Sequence, residues 1–261
     1  MPVPIQKPCR ACKSKKQSKL SIDFVNVSSR NQDFEDLNLR IKVADSLYEY
    51  KKKSNSPTFS REYHIANDDS MFASVLELDP LSSIYQTVKQ SVIMFDGKPT
   101  GLHVVKIFQI LNPESFQNFQ NRVKKDQSKP WADTINLVTP AFHTTRASNL
   151  SSLLLRGLDQ RLAMGGRFGN GLYFSVDPTK AADYWKKNAG ENDLRFFLGV
   201  DLALGRKKIY APNVINPELK REPINFDSVE GNILGKKESV VYNSDRVHIN
   251  YLITYKKKSG F

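Results

Sequence analysis

The stretch Phe142–Tyr184 decides how the chain is interpreted, and it reads FHTTRASNLSSLLLRGLDQRLAMGGRFGNGLYFSVDPTKAADY. His143 ends an apolar run, and the residues after it predict a short helix over 149–156 that stops at Gly157. A glycine-rich loop then leads into the aromatic segment 172–174. On its own this order fits a nucleotide site, and it also fits a plain strand, helix and turn.

Length and charge set the first limits. A chain of 261 residues forms one large domain or two small ones. No stretch approaches the ~18 apolar residues of a membrane span, and no secretory leader is visible, so we expect a soluble, intracellular protein in the nucleus or cytoplasm. The net charge of +12 favours an anionic partner, although solvated lysine-rich faces explain it equally well.

The two cysteines, Cys9 and Cys12, exclude a disulfide framework and indicate a reducing compartment. A CxxC pair can ligate zinc, but a closed site needs four ligands and the sequence has no second pair. A terminal tail with two free thiols is therefore favoured over structural zinc. Zinc shared between two chains stays open.

The N-terminal part of the chain is weakly patterned. Residues 1–20 hold six basic residues and no acidic one, which predicts a disordered tail. That tail fits a nuclear-localisation or nucleic-acid-binding role, or simply a solvated end. The segment 21–73 has no assignable role, with a strand pattern at 21–27 and a linker pattern at 51–58.

Residues 71–261 alternate between helix and strand signals. Strands outnumber helices without regular βαβ spacing, which predicts an α+β fold with mostly antiparallel sheets. The predicted helices start after Asp79, with apolar spacing that runs to Phe95, and at Pro113, residue 149 and Pro178. The predicted strands span 101–111, 136–142, 172–174, 196–204, 238–242 and 250–255. A turn is predicted at 96–99.

The loop Gly166–Gly171 lacks the nucleotide-binding fingerprint GxGxxG. Its glycine spacing is reversed, and it runs from helix to strand, whereas the fingerprint runs from strand to helix. The chain also lacks a P-loop, a GxSxG motif and a catalytic metal cluster. The loop alone predicts a flexible turn whose backbone amides could still approach a bound anion.

Three short motifs follow one another along the second half of the chain. The first is FHTTR at 142–146, with Asn149 soon after it. The second is GNGLYF at 169–174, followed by Lys180 and Tyr184. The third is KESVVY at 237–242.

Together these motifs resemble the catalytic domain of poly(ADP-ribose) polymerases, the diphtheria-toxin-like ADP-ribosyltransferases. They correspond to that family's His-Gly-Ser/Thr, Gly-x-Gly-Ile-Tyr-Phe and Asn-Glu-Tyr-Ile-Val-Tyr. Residues 105–113 resemble the family's first catalytic strand, and 227–231 fall where a Ser-Val-x-Gly turn is expected. The resemblance covers roughly residues 74–261. It implies two mostly antiparallel sheets packed together, with flanking helices around an NAD cleft.

The resemblance implies that NAD+ is the substrate and that no metal is needed. Cleaving the nicotinamide–ribose bond develops positive charge on the ribose carbon, which a carboxylate can stabilise. Glu238 is expected to do this and to orient the acceptor. Tyr173 and Tyr184 are expected to flank the nicotinamide ring, and His143 to hold a hydroxyl of the adenosine ribose.

Further contacts to NAD+ are implied in the same way. The backbone of Thr144 is expected to bind the carboxamide, and Thr145 the adenine ribose. The loop 159–168 is expected to cover the adenine end, and its short length resembles a tankyrase more than a DNA-break-activated enzyme. The remaining implied contacts are Asn149, Arg161, Phe168, Gly171, Lys180 and Ala181.

Two positions depart from the family pattern. Thr144 replaces the usual Gly after the motif His, and Ala181 replaces the usual Ser after the Lys. The second change removes one hydrogen bond to the carboxamide, an effect of about 0.5–1.5 kcal/mol. These changes fit either an active transferase or a weakened one.

The leading hypothesis is an NAD+-dependent protein ADP-ribosyltransferase, a pentosyltransferase making mono- or poly-ADP-ribose on proteins or on itself. One alternative is an inactive transferase fold that serves as a basic nucleic-acid-binding or scaffold module. Another is an NAD+ glycohydrolase that needs no acceptor. No helical autoinhibitory domain is apparent before residue 74, so we expect activity that does not depend on DNA.

Overall fold

A computed structural model of the protein describes residues 59–66, 72–145, 149–184 and 195–257. The basic tail, the cysteine pair, the strand predicted at 21–27 and the linker at 51–58 lie outside these residues. The described strands form one sheet of six strands, one of four and a two-stranded hairpin. All pairings in them are antiparallel except one, so the predicted α+β class with mostly antiparallel sheets is confirmed.

The strands and helices of the described residues are numbered in chain order. The strands are β1 (Phe59–Ala66), β2 (Phe72–Leu78), β3 (Met94–Phe95), β4 (Lys98–Pro99), β5 (Leu102–Leu111), β6 (Thr139–His143), β7 (Leu172–Phe174), β8 (Arg195–Leu202), β9 (Lys207–Ile209), β10 (Ser228–Ile233), β11 (Lys236–Val241) and β12 (Val247–Lys257). The α-helices are α1 (Ser83–Ile93), α2 (Pro113–Gln127), α3 (Leu150–Arg156) and α4 (Pro178–Asp183). Single 3₁₀ turns lie at Ala132–Thr134, Gln160–Leu162 and Ser244–Arg246.

The six-stranded sheet has the order β1-β2-β5-β12-β8-β6. Its central strand β12 (Val247–Lys257) is longer than the predicted 250–255, because β5 and β8 form backbone pairs along its two edges, including its polar C-terminal residues. Lys256 and Lys257, for example, pair with His103 and Leu102. The sheet also reaches upstream of residue 74, the predicted start of the catalytic domain, because β1 is its edge strand.

Both faces of the six-stranded sheet are buried, which follows from the alternation of side chains along a strand. Leu198 belongs to one core cluster together with Leu154 of α3. Its neighbour Phe197 belongs to a second cluster together with Val92 of α1. Helices therefore cover the sheet from either side.

The helix starts follow the predicted capping residues. The Asn112 side chain accepts a hydrogen bond from the backbone N–H of Ser115 and so caps α2. The Asp177 side chain accepts from the N–H of Thr179 and caps α4. Helix α1 starts behind Ser82 as the Asp79 region predicts, but it does not continue to Phe95.

Two local predictions were wrong. The segment 94–95, placed at the end of a helix, forms β3 and pairs with β4 across the predicted turn. That hairpin turns through Asp96 and Gly97, both with positive φ, which ends the helix before it. The turn expected at 227–231 lies largely in strand β10, which pairs with β11 on one side and, in parallel, with β9 on the other.

A backbone bridge between Phe142 and Ser175 links the two large sheets. The Phe142 N–H donates to the Ser175 carbonyl at 2.8 Å, and the Ser175 N–H donates back at 3.1 Å. Phe142 precedes His143, and Ser175 follows β7, which carries Tyr173. The bridge therefore places these two motif residues on opposite sides of one junction.

Within the described residues, none of the helices has the length and apolarity needed to cross a membrane.

Candidate active site

A cavity opens at the junction of the two sheets, beside helix α4. It spans about 360 Å³ of space, part of it open to solvent. The residues that line it come from all three motifs: Phe142, His143, Thr144, Tyr173, Phe174, Ser175, Lys180, Ala181, Tyr184 and Glu238.

The four-stranded sheet brings Glu238 and Tyr173 to one side of this cavity. Tyr173 of β7 pairs with Val240 of β11, and Glu238 lies two residues before Val240. Paired residues, and residues two apart on a strand, share a face of a sheet. Strand pairing thus joins two residues that are 65 positions apart in the sequence.

The carboxylate of Glu238 is almost fully buried, with 3% of the residue exposed. Its Oε1 accepts a hydrogen bond from the Tyr184 hydroxyl at 2.6 Å and lies 3.0 Å from the Lys180 ammonium. Its Oε2 is buried and has no hydrogen-bond partner among the described residues. A buried carboxylate oxygen normally has a partner, so the accepting capacity of Oε2 is unused in the described residues.

Lys180 holds Glu238 from helix α4. Its Nζ also donates to the backbone carbonyl of Lys236 at 2.9 Å, so the ammonium is tied to β11 at two points. Burial lowers the pKa of Lys180, and the hydrogen bond and charge of Glu238 oppose that shift. The pair is thus a buried ion pair that fixes the orientation of the carboxylate.

The two cavity tyrosines use their hydroxyls differently. Although 60% of Tyr184 is exposed, its hydroxyl lies against the buried Glu238, and desolvation there, followed by the hydrogen bond to Glu238, raises the pKa of Tyr184 well above its ordinary value. Burial likewise raises the pKa of Tyr173 to about 12, with the charge of Glu238 adding to the shift. Both phenols are therefore neutral at physiological pH, and only Tyr184 donates to the carboxylate.

The glycine-rich loop encloses the Tyr173 hydroxyl. That hydroxyl donates to the Gly169 carbonyl at 2.8 Å and accepts from the Phe168 N–H at 2.8 Å. A side chain at Gly166 would place its Cβ 2.5 Å from the Tyr173 hydroxyl and ring. Glycine is needed there so that the backbone can lie against the tyrosine.

The loop does not offer a cradle of free amides for an anion. Its N–H groups donate within the protein at Gly166, Phe168, Gly169, Asn170 and Gly171. The expectation that these amides approach a bound anion is therefore wrong for those five positions. The sequence missed this because the partners include the Tyr173 hydroxyl and the carbonyl of Leu219, far along the chain.

The ring of His143 has a defined tautomer. Its Nδ1 lies 2.8 Å from the Tyr173 carbonyl oxygen, which can only accept, so Nδ1 carries the proton. Burial lowers the pKa of His143 below its ordinary value of 6.5. The ring is thus neutral at pH 7, and its Nε2 is a hydrogen-bond acceptor.

Thr144 and Ala181, the two departures from the motif pattern, contact each other across the cavity wall. The Thr144 hydroxyl donates to the Ala181 carbonyl at 2.7 Å. The bond ties the residue after β6 to helix α4.

Comparison with known proteins agrees with this geometry. A family model described as "Poly(ADP-ribose) polymerase catalytic domain" matches residues 82–232, more than half of the chain. The chain belongs to this family. The catalytic-domain fold expected from the motifs is thereby confirmed, and enzymes of this family use NAD+ as the donor of ADP-ribose.

Two relatives share part of the catalytic domain. Protein mono-ADP-ribosyltransferase PARP3 from Homo sapiens is 37% identical over 90 residues, and the protein of the same name from Mus musculus is 30% identical over 89. Each match covers 34% of this chain and 16% of the relative, so the chain spans only a small part of the curated relatives it matches. Neither is a tankyrase, and the tankyrase-like length of the loop stays a prediction.

The family match ends at residue 232, before Glu238. The placement of Glu238 in the site therefore depends on the motif at 237–242 and on the geometry of β11. Strand pairing and the contacts of Lys180 and Tyr184 bring it into the same cavity as the matched motifs.

The remaining motif residues of this polymerase-family domain lie outside the cavity lining. Asn149 donates to the Thr145 hydroxyl at 3.3 Å, beside the cavity wall at Thr144. The exposed Arg161 forms an ion pair with Asp159 at 2.7 Å. Their assignment to the adenine end of NAD+ stays a prediction.

The packing of the fold explains why Phe168 and Gly171 occupy their positions. Phe168 is fully buried in the core of the small sheet, where its ring occupies the space that a side chain at Gly231 would need. Gly171 packs against Val240, whose Cγ1 would lie 2.4 Å from an added Cβ. The side chain of Phe168 is thus a support for the site, in contrast to the direct contact implied by the resemblance.

Ser175 lines the cavity and was not predicted. Its hydroxyl donates to the Lys237 carbonyl at 3.0 Å and accepts from the Asp177 N–H, so it joins β7, β11 and the start of α4. The sequence does not reveal this link, because Ser175 and Lys237 are 62 residues apart and are brought together by the pairing of β7 with β11. Among the described residues no cluster of His, Cys, Asp and Glu could hold a metal ion.

Proposed function

We propose that this protein transfers ADP-ribose from NAD+ to protein acceptors and releases nicotinamide. The observation that carries the proposal is the buried, unpartnered Oε2 of Glu238, a residue that lines a cavity together with Tyr173, Tyr184 and His143. The residues fit a ligand that offers a hydroxyl to a carboxylate and an aromatic ring to two tyrosines.

Glu238 supplies the charge stabilisation. Lys180 and Tyr184 both bind Oε1, which leaves Oε2 to accept a hydrogen bond from a hydroxyl of the nicotinamide ribose. As the bond between ribose C1′ and the nicotinamide nitrogen breaks, its electron pair goes to nitrogen and positive charge develops on the ribose. A fixed carboxylate in a buried site stabilises that charge.

Transfer is completed by the acceptor. A nucleophilic oxygen or other donor atom of the acceptor forms the new bond to C1′, and its proton, where it has one, passes to the carboxylate or to water. The carboxylate of Glu238 can orient this nucleophile through the same Oε2.

His143 and the tyrosines position the donor. With its proton fixed on Nδ1, His143 presents Nε2 as an acceptor for a hydroxyl of the adenosine ribose. Tyr173 and Tyr184 line the cavity and offer flat aromatic faces for nicotinamide. In the same proposal Thr145, Asn149 and Arg161 contact the adenosine end of the dinucleotide.

The targets and the place of action are inferred from the chain as a whole. The basic segment 1–20 supports binding of nucleic acid and a nuclear or cytoplasmic protein, and the protein itself is an accessible acceptor. The names of the two relatives specify single ADP-ribose units, which favours mono-ADP-ribosylation by this chain.

Mass spectrometry of the purified chain incubated with NAD+ tests the proposal. We expect release of nicotinamide together with a mass increase of one ADP-ribose unit on the protein or on an added acceptor. Repeated increments would show polymer formation. Nicotinamide release with no labelled acceptor would indicate a glycohydrolase, and neither product, together with salt-sensitive nucleic-acid binding, would favour the inactive scaffold.

A further inference from the structure

Arg167 occupies the tip of a tight turn in the glycine-rich loop. Gly166 and Gly169 exchange backbone hydrogen bonds at 3.0 and 3.1 Å, which leaves Arg167 and Phe168 as the two residues between them. Phe168 is fully buried, whereas Arg167 is exposed. The turn therefore places one side chain in the core and the other in solvent.

The backbone around Arg167 is held at several points. Its carbonyl accepts from the Asn216 N–H at 2.8 Å, and the N–H of the next residue, Phe168, donates to the Tyr173 hydroxyl at 2.8 Å. Gly166, on the other side, packs against Tyr173, since an added Cβ would lie 2.5 Å from its ring and hydroxyl. Arg167 is thus fixed beside a residue that lines the cavity.

The charge of Arg167 acts on the Glu238 end of the cavity. Burial is the largest cause of the lowered pKa of Lys180 and of the raised pKa of Tyr184, and the charge of Arg167 is a smaller cause in both, lowering each pKa. Lys180 and Tyr184 are the two partners of Glu238 Oε1. Arg167 has no such effect on the pKa of His143, at the end assigned to the adenosine ribose.

Arg167 brings an unbalanced positive charge to this end of the cavity. Its guanidinium forms no hydrogen bond or ion pair with another of the described residues. Two neighbouring lysines, in contrast, are paired, Lys180 with Glu238 at 3.0 Å and Lys236 with Asp183 at 2.5 Å. A guanidinium presents a planar fork of donors that matches a carboxylate, so an acidic side chain is the complementary group.

We propose that Arg167 binds acidic side chains of the acceptor and so selects protein segments in which Asp or Glu flanks the modified residue. The inference rests on the proposed function and names its class of acceptor. The nucleophile must reach C1′ beside Glu238, so the residues next to it pass the exposed Arg167. The charge of Glu238 is compensated by Lys180, which limits its repulsion of an acidic segment. One guanidinium fits one carboxylate at a time, whereas nucleic acid is held by many basic residues along its backbone.

Transfer by the full chain to two matched peptides tests the inference. Both contain the central sequence Gly-Ser-Glu-Lys-Tyr-Gly, which offers several acceptor groups, and either Glu or Gln residues flank it on each side. Mass spectrometry counts only ADP-ribose on the central sequence. For the wild type we expect kcat/KM to be about three- to fivefold higher with the Glu-flanked peptide, the scale of an exposed ion pair, and this preference should disappear at high salt.

Substitution of Arg167 should change the use of the peptide and leave the use of NAD+ as it is. Arg167→Gln should abolish the preference by raising KM for the Glu-flanked peptide, with kcat and KM for NAD+ unchanged. Arg167→Lys, which keeps the charge, should retain part of the preference. Arg206→Gln is the matched control, because it removes an exposed arginine that precedes β9, at the other edge of the four-stranded sheet, and it should keep the full preference.

Several results would overturn the inference. One is nicotinamide release by the wild type with equal labelling, or no labelling, of the two peptides. Another is a preference that survives in Arg167→Gln, or a raised KM for NAD+ in that variant with the peptide KM unchanged. Inhibition by single-stranded DNA that is lost in Arg167→Gln would assign the residue to nucleic acid instead. A wild type that releases no nicotinamide and modifies no peptide would overturn the proposed function itself.

Discussion

The Tyr184 hydroxyl donates a 2.6 Å hydrogen bond to Oε1 of Glu238, the same oxygen that pairs with Lys180, so both partners bind one side of the carboxylate. The other oxygen, Oε2, is buried without a partner among the described residues. In the proposed function Tyr184 is therefore more than an aromatic wall, because its hydrogen bond to Oε1 leaves Oε2 for the substrate.

Removing that hydroxyl should affect turnover more than binding. In Tyr184→Phe the ring remains, but a hydrogen bond to a charged group is lost, worth about 1.5–3 kcal/mol. We expect kcat to fall about tenfold or more with little change in KM for NAD+. Steady-state kinetics of nicotinamide release measures both constants, and a raised KM with unchanged kcat would show that Tyr184 only binds the donor.

Tyr173→Phe also removes a cavity hydroxyl and is the matched control, because among the described residues that hydroxyl bonds to the glycine-rich loop and not to Glu238. The change leaves the Phe168 N–H without its acceptor. We expect the free energy of unfolding to fall by about 1–3 kcal/mol and amide exchange at Phe168 to quicken. Urea denaturation and hydrogen exchange measure this, and an unchanged exchange rate would contradict the hydrogen bond between the Phe168 N–H and the Tyr173 hydroxyl.

Gly166 should be intolerant of a side chain. The added Cβ in Gly166→Ala would lie 2.5 Å from the Tyr173 ring and hydroxyl, so either the loop or the tyrosine must move. Such overpacking costs about 1–3 kcal/mol. Gly165→Ala is the control, since its Cβ meets only the Asn170 side chain, at 3.0 Å. Equal stability and equal nicotinamide affinity in both variants would show that the loop does not hold Tyr173.

The glycine-rich loop has contacts that could not be predicted from the sequence. The motifs predicted part of the cavity lining, including His143, Tyr173 and Glu238. The capping residues Asn112 and Asp177 predicted where two helices start. The partners of the loop amides could not be predicted, because they include the hydroxyl of a tyrosine and a carbonyl of Leu219. Likewise, the interior position of Phe168 requires the absence of a side chain at Gly231. These are packing relationships between distant segments, and no local pattern encodes them.

The neutral His143 predicts a pH dependence with a definite sign. Burial lowers its pKa in the folded protein, whereas in the unfolded chain the group takes up a proton near 6.5. The unfolded state therefore binds more protons below that pH, and stability should fall with decreasing pH, by up to about 1.4 kcal/mol per pH unit for one such histidine.

NAD+ binding should depend on the protonation state of His143. Protonation of Nε2 removes the acceptor, so NAD+ affinity should be constant from about pH 8 to 6.5 and weaken once pH falls through the lowered pKa. His248 is also buried with a lowered pKa, so His143→Asn, which keeps a donor toward the Tyr173 carbonyl, isolates the contribution of His143. Thermal unfolding of the wild type and this variant between about pH 7.5 and 5 compares them, and identical slopes would contradict a neutral His143 in the folded protein.

The most direct test of the central claim is the rate of ADP-ribose transfer by Glu238→Gln. The glutamine oxygen can still accept from Lys180 and Tyr184, but its NH₂ group replaces Oε2 with a donor. We predict a loss of about 100-fold or more in kcat, the scale of a removed transition-state contact, with nicotinamide binding close to that of the wild type. Because the buried Lys180 loses its counter-charge, the free energy of unfolding should fall by about 3–5 kcal/mol, and kcat is compared under conditions where the variant is folded. Transfer at the wild-type rate by a folded Glu238→Gln protein would contradict the role assigned to Glu238.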